Sequence, residues 1–139
     1  MKPAAIAIIV LALLVGVIPQ FTDCQSQGKA IQLPNGTTLP MKCHWTARAE
    51  LALAVPWLLS GVCLLLCRQP ESRRLHAVTS MILALGVILL PTVLIGVCAK
   101  PDMLCLAVMK PTLVLAGVLG LALGALCLIL GGQSREQRG

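Results

Sequence analysis

Apolar residues fill four stretches of the chain, about 4–21, 49–67, 75–98 and 112–130, and polar or turn-forming residues collect between them. Crossing the hydrocarbon of a bilayer takes about 20 apolar residues rising about 1.5 Å each. The pattern therefore predicts an all-α membrane protein, a single domain over 1–139 built as a four-helix transmembrane bundle. Two loops, 22–48 and 99–111, lie on one side of it. The first stretch is the shortest and also fits a signal peptide, with Lys2 before a short apolar core. No small-x-small cleavage site follows it, and Phe21-Thr22-Asp23 before Cys24 is no lipobox, so we read it as a retained span.

The longer loop contains weak alternation on either side of Pro34-Asn35-Gly36. Asn-Gly between two such runs predicts a short β-hairpin capping the bundle. Asn35-Gly36-Thr37 also matches a glycosylation sequon, but the turn accounts for it without one.

Composition agrees with the span pattern. The chain is 58% hydrophobic and 12% charged, against about 45–50% and about 25% in ordinary soluble domains. The net charge of +6 comes from residues flanking the spans, with aromatics at only 2%, so no nucleic-acid surface is expected and the bilayer is the first partner. With the N-terminus inside, Lys2, Arg68, Arg73, Arg74, Arg135 and Arg138 are cytoplasmic, and Lys29, Lys42, Arg48, Lys100 and Lys110 are outside. That bias is small. Cysteine placement supports the same topology, since Cys24, Cys43, Cys98 and Cys105 then all meet the outer, oxidising side. Both termini are therefore expected in the cytoplasm. The outer cap is expected to be stapled by disulfides among these four cysteines, which allow three pairings that sequence leaves open.

The segment Met41-Lys42-Cys43-His44-Trp45-Thr46, with Glu50 beyond it, resembles the motif of a bacterial four-pass membrane family of unknown function. Ile95-Gly96-Val97-Cys98, followed by Met103-Leu104-Cys105 and Pro111, resembles that family's second outer loop. The resemblance implies the four-pass fold and the outer cysteine set. It implies no activity, and suggests a setting near ABC transporters with FtsX-like permeases.

Candidate chemistry gathers in the same two segments. Met41, Cys43, His44, Trp45, Thr46, Glu50 and Met103 form a candidate partner or ligand face. Trp45 suits an interfacial anchor, and Thr46 an N-cap of the second helix with Glu50 in its first turn. Cys43, His44, Met103 and Cys105 are the ligands to expect if copper, zinc or haem is bound, although no CxxC pair is present and no cofactor is expected outright. The missing CxxC also separates the chain from quinone-coupled membrane thiol oxidases. Pro56 and Pro91 should kink their helices. Cys63, Cys67 and Cys127 are expected as packing residues. Gly117, Gly120 and Gly124 should let another helix approach closely, from within the chain or from a partner.

No span shows a charge away from its ends, which argues against transport by this chain alone. No phosphate-binding loop, catalytic triad or zinc-protease motif is present. The expected role is a non-enzymatic membrane accessory protein, binding an ABC-type permease, another membrane protein or a second copy of itself. The alternative is a thiol-redox or metal/haem protein acting through Cys43 and His44.

Overall fold

The structure, a computed structural model, describes residues 2–99 and 102–136, with side chains as far as residue 131. Lys100, Arg138 and the side chain of Arg135, used above for orientation, lie outside the described residues. Four helices are long and apolar enough to cross a membrane. They are α1 (Lys2–Thr22), α2 (Lys42–Leu66), α3 (Pro70–Leu89) and α4 (Lys110–Glu136). A five-residue π-helix, π1 (Leu90–Leu94), continues α3, and another, π2 (Cys105–Met109), leads into α4. The protein is a multi-pass membrane protein with the expected four-helix architecture.

The helices run alternately up and down. The end of α1, the start of α2, the end of the α3–π1 rod and the start of the π2–α4 rod meet at one end, called here the cysteine end. Each helix keeps an apolar surface on both sides. In α1, Ala4, Ala5, Ile8, Ala12, Val15, Gly16 and Pro19 recur at helical spacing and face the interior, while Ile6, Val10, Leu13 and Val17 are exposed. A helix apolar all round fits a lipid surroundings.

Lipid tails are as apolar as leucine, so helices associate through close fit and interhelical hydrogen bonds. Glycine supplies the fit. A Cβ on Gly120 would collide with the ring of Trp57 from α2, one on Gly117 with Ile88, and one on Gly124 with Met81. The glycine face of α4 is therefore used inside the bundle. Trp57 is fully buried and donates its indole N–H to Ser80 Oγ of α3 at 2.8 Å. Nearby, the Ser60 hydroxyl donates to the His76 carbonyl at 3.0 Å. Cys127 packs in the core as expected, while Cys63 and Cys67 are half-buried.

The hairpin is present but minimal. Strands β1 (Ile31–Gln32) and β2 (Thr38–Leu39) pair antiparallel, Ile31 opposite Leu39 and Gln32 opposite Thr38. Gly36 N–H donates to the Leu33 carbonyl at 3.0 Å, and Leu33 N–H to the Thr37 carbonyl at 2.9 Å. This closes a three-residue loop in which Gly36, with φ of 76°, takes the left-handed position. Both strands are exposed, so the hairpin projects from the bundle rather than sealing it.

The helix boundaries correct the sequence expectation at the cysteine end. Helix α2 begins at Lys42, seven residues before the expected 49, because the motif 42–48 is itself helical. Thr46 is therefore no N-cap. Met41 holds that position, with no side-chain cap, and the Thr46 hydroxyl bonds the carbonyls of Lys42 and Gly96 instead. The third rod ends at Leu94, which leaves Cys98 in the following loop, and Pro91 sits where it passes from α- to π-helix.

Enlarging a glycine on this face should overpack the core. Gly120→Leu is expected to lower the thermal unfolding midpoint in detergent, at a cost of about 1–3 kcal/mol. Val118→Leu, on the exposed face of the same helix, should leave the midpoint unchanged.

Candidate four-thiol centre

One cysteine comes from the cysteine end of each rod. Cys24 follows α1 by two residues, Cys43 sits in the first turn of α2, Cys98 follows π1 and Cys105 opens π2. Local hydrogen bonds position Cys24 and the Cys98 loop and tie them to α2. The Asp23 carboxylate accepts the Ser26 N–H at 2.8 Å, while the Ser26 hydroxyl donates to the Asp23 carbonyl at 2.8 Å, turning the chain immediately around Cys24. Gly96, with φ of 79°, ends the third rod by donating its N–H to the Leu90 carbonyl at 3.0 Å. Its own carbonyl accepts the Thr46 hydroxyl at 2.8 Å, which ties the Cys98 loop to α2. The Gln20 side-chain amide donates to the Ala47 carbonyl at 2.8 Å and joins α1 to α2 just beneath.

These constraints bring the four sulfurs together, with all four Sγ atoms within 4.8 Å of one another. Cys24 lies 3.2 Å from Cys105 and 3.6 Å from Cys98, and Cys43 lies 3.2 Å from Cys98. Cys24, Cys43 and Cys105 are buried, and Cys98 is half-buried. Two thioethers border the group, Met103 Sδ at 3.7 Å from Cys24 and Met41 Sδ at 3.8 Å from Cys98. No pair among the four stands at the roughly 2.05 Å of an S–S bond, the shortest contacts being 3.2 Å, so the structure does not show the expected disulfide staple.

The expected ligand set is rearranged. Cys43 and Cys105 belong to the centre together with Cys24 and Cys98, while Met103 borders it. His44 stands outside, its Nδ1 2.9 Å from Asp23 Oδ2. Burial works against the charged form of Asp23, but the hydrogen bonds from His44 and Ser26 outweigh it and hold the carboxyl below its usual range. Burial pushes the Cys24 thiol up, and its contacts with Cys43, Cys105 and Cys98 push the same way. Trp45 is 58% exposed, as an interfacial anchor would be.

Glu50 departs furthest from expectation. With α2 starting at Lys42, it lies more than two turns inside the helix. It is completely buried, and neither carboxyl oxygen has a hydrogen-bond partner among the described residues. A charge-bearing residue does therefore sit away from the end of a span. It shares an inward face with Cys43, Thr46 and Trp57, so it is not offered to a partner on the surface.

The residues 5–130 match the family model described as a domain of unknown function, DUF4418. The chain belongs to the DUF4418 family. No curated protein and no solved structure matches it. Within this DUF4418 chain the four cysteines that gather are the four expected together at one face, but as disulfides; as ligands only Cys43 and Cys105 were expected, without Cys24 and Cys98.

Two outcomes follow from this geometry. Because the Asp23 carboxyl is held below the usual 3.8 of a free aspartate, its stabilisation is fully present above that pH and is lost as pH falls through the lower folded value. Asp23→Asn should lower the unfolding midpoint at neutral pH, by about 1–2 kcal/mol, and flatten the wild-type decline below pH 3.8. Glu50→Leu removes two buried oxygens that have no partner, so it should raise the midpoint, by about 1–3 kcal/mol. A lowered midpoint would mean that Glu50 has a partner in the native membrane.

Proposed function

We propose that the protein is a membrane-embedded soft-metal-binding protein whose site is Cys24, Cys43, Cys98 and Cys105. The observation that carries this is the mutual approach of the four sulfurs within 4.8 Å. Four thiolates around one tetrahedral ion at about 2.3 Å stand about 3.8 Å apart. The approaches of 3.2–3.6 Å fall a little short of that edge and no separation exceeds 4.8 Å, so small shifts would fit the four to one ion. An all-sulfur donor set favours zinc or copper(I) over hard cations. It does not offer the axial arrangement that haem iron uses. Met41 and Met103 surround the site with polarisable thioethers, and the amino end of α2 beside Cys43 offsets part of a metal–thiolate centre's negative charge.

The location that goes with this reading is a bacterial cell membrane, with both termini cytoplasmic and the four-thiol centre at the outer rim. Binding there would expel thiol protons, including the one that burial holds on Cys24. Affinity should therefore fall as pH is lowered. The accessory role expected from sequence is a second reading, supported by exposed apolar groups at the same end, Trp45 on α2 and Ile31 and Leu39 on the hairpin.

The test is metal titration of reduced, detergent-purified protein with zinc, copper(I) and cobalt as a spectroscopic stand-in. We expect one ion per chain, thiolate-to-cobalt charge-transfer absorption, and an X-ray absorption shell of sulfur alone. Each single Cys→Ser change at the four positions should abolish the cobalt band, while His44→Ala should keep it. Substoichiometric uptake that survives the cysteine changes would overturn the reading. Recovery of a stoichiometric permease from native membranes would support the accessory role.

A further inference from the structure

The four sulfurs do not touch one another equally. The two shortest contacts are Cys43 to Cys98 and Cys24 to Cys105, each at 3.2 Å; Cys24 also meets Cys98 at 3.6 Å and interacts with Cys43, so Cys24 links Cys105 to the other two. Only Cys98 among the four is not fully buried, and it stands on an irregular loop after π1. Thiol–disulfide exchange proceeds by attack of one sulfur on another, so the order of contacts dictates the order in which a disulfide can move. On the proposed topology the centre meets an oxidising side through Cys98, and four thiols so placed have an alternative to holding metal.

We propose that the four-thiol centre is a disulfide relay, in which Cys98 is the entry thiol, Cys24–Cys105 is the buried terminal bond and Cys43–Cys98 is the second bond to close. The oxidant is a low-molecular-weight disulfide. Cys98 attacks one of its sulfurs, breaking that S–S bond; one thiol leaves, carrying the proton lost by Cys98. Cys24 or Cys43 then attacks Cys98 Sγ, releasing the second small thiol with a second proton. A bond first made between Cys43 and Cys98 passes inward when Cys24 attacks Cys98 and frees the Cys43 thiol. Cys105 then attacks Cys24 and frees Cys98, leaving Cys24–Cys105. Each exchange conserves the number of disulfides. Two electrons pass from two protein thiols to each small disulfide, which leaves as two thiols. A second equivalent closes Cys43–Cys98.

Both final bonds join the first loop region to the second, across 81 residues for Cys24–Cys105 and 55 for Cys43–Cys98. This deepens the metal-site reading, since the same four thiols cannot hold an ion and a disulfide together. Metal occupancy would then be governed by redox state.

The experiment is timed oxidation of reduced full-length protein in detergent with oxidised glutathione, followed by acid quenching, alkylation and mass-spectrometric mapping of the bonds. The expected result is Cys24–Cys105 together with Cys43–Cys98. Cys98→Ser should suppress Cys24–Cys105 although both of those cysteines remain, and Cys43→Ser should still form it. Bonds Cys24–Cys43 and Cys98–Cys105, or a Cys24–Cys105 bond that forms at the wild-type rate in Cys98→Ser, would overturn the relay. So would its loss in both variants. Zinc loading before oxidation separates the two readings. Protection supports a shared centre, whereas the mapped bonds forming unprotected in a protein that takes up no zinc would remove the metal reading and leave the relay standing.

Discussion

In a bilayer, two apolar helices gain little by leaving lipid for each other, so this bundle depends on how closely its backbones can approach. Small residues decide that approach. Gly16 faces Ala54, a Cβ on Gly61 would press on Ile8 and Ile9, and Gly120 lies under the Trp57 ring. Trp57 fills the space the glycines leave and fixes its orientation through Ser80. The mid-membrane fit in turn sets the separation of the rods at the cysteine end. Sulfur contacts of 3.2–3.6 Å across three inter-rod gaps require rods already held at fixed spacing.

Much of this was legible from hydropathy alone. Four apolar runs of about 20 residues specify four helices, since a single segment satisfies its own backbone in hydrocarbon only as a helix, the alternative being a closed barrel of many shorter strands. The hairpin was legible from Pro34-Asn35-Gly36, because the left-handed position favours glycine. The start of α2 was less so: Lys42, His44 and Arg48 look like loop residues by polarity, yet they belong to a helix whose first turns stand at the interface. That shift carries Glu50 from an expected first turn into the buried interior, a change hydropathy does not register.

The centre itself was half legible. The four cysteines were expected together at one face, but as disulfides, and only Cys43 and Cys105, within motifs rich in soft donors, as ligands. That Cys24 and Cys98 join them in one four-sulfur group depends on how the Asp23–Ser26 turn and the Gly96 cap return the chain toward the bundle axis. His44 looked like a ligand because imidazole often is one, and only the fold shows that Asp23 engages it. Spacing along a chain cannot reveal which of several polar partners a side chain meets when the partners sit on different rods.

The connection between α2 and α3 is only Cys67 to Gln69, and it divides the chain into two helical hairpins. The first hairpin owns Cys24 and Cys43, the second owns Cys98 and Cys105, and each of the three closest sulfur contacts crosses from one to the other. Neither half therefore carries a finished centre. The centre is a property of the seam, complete only while the two hairpins are docked on each other.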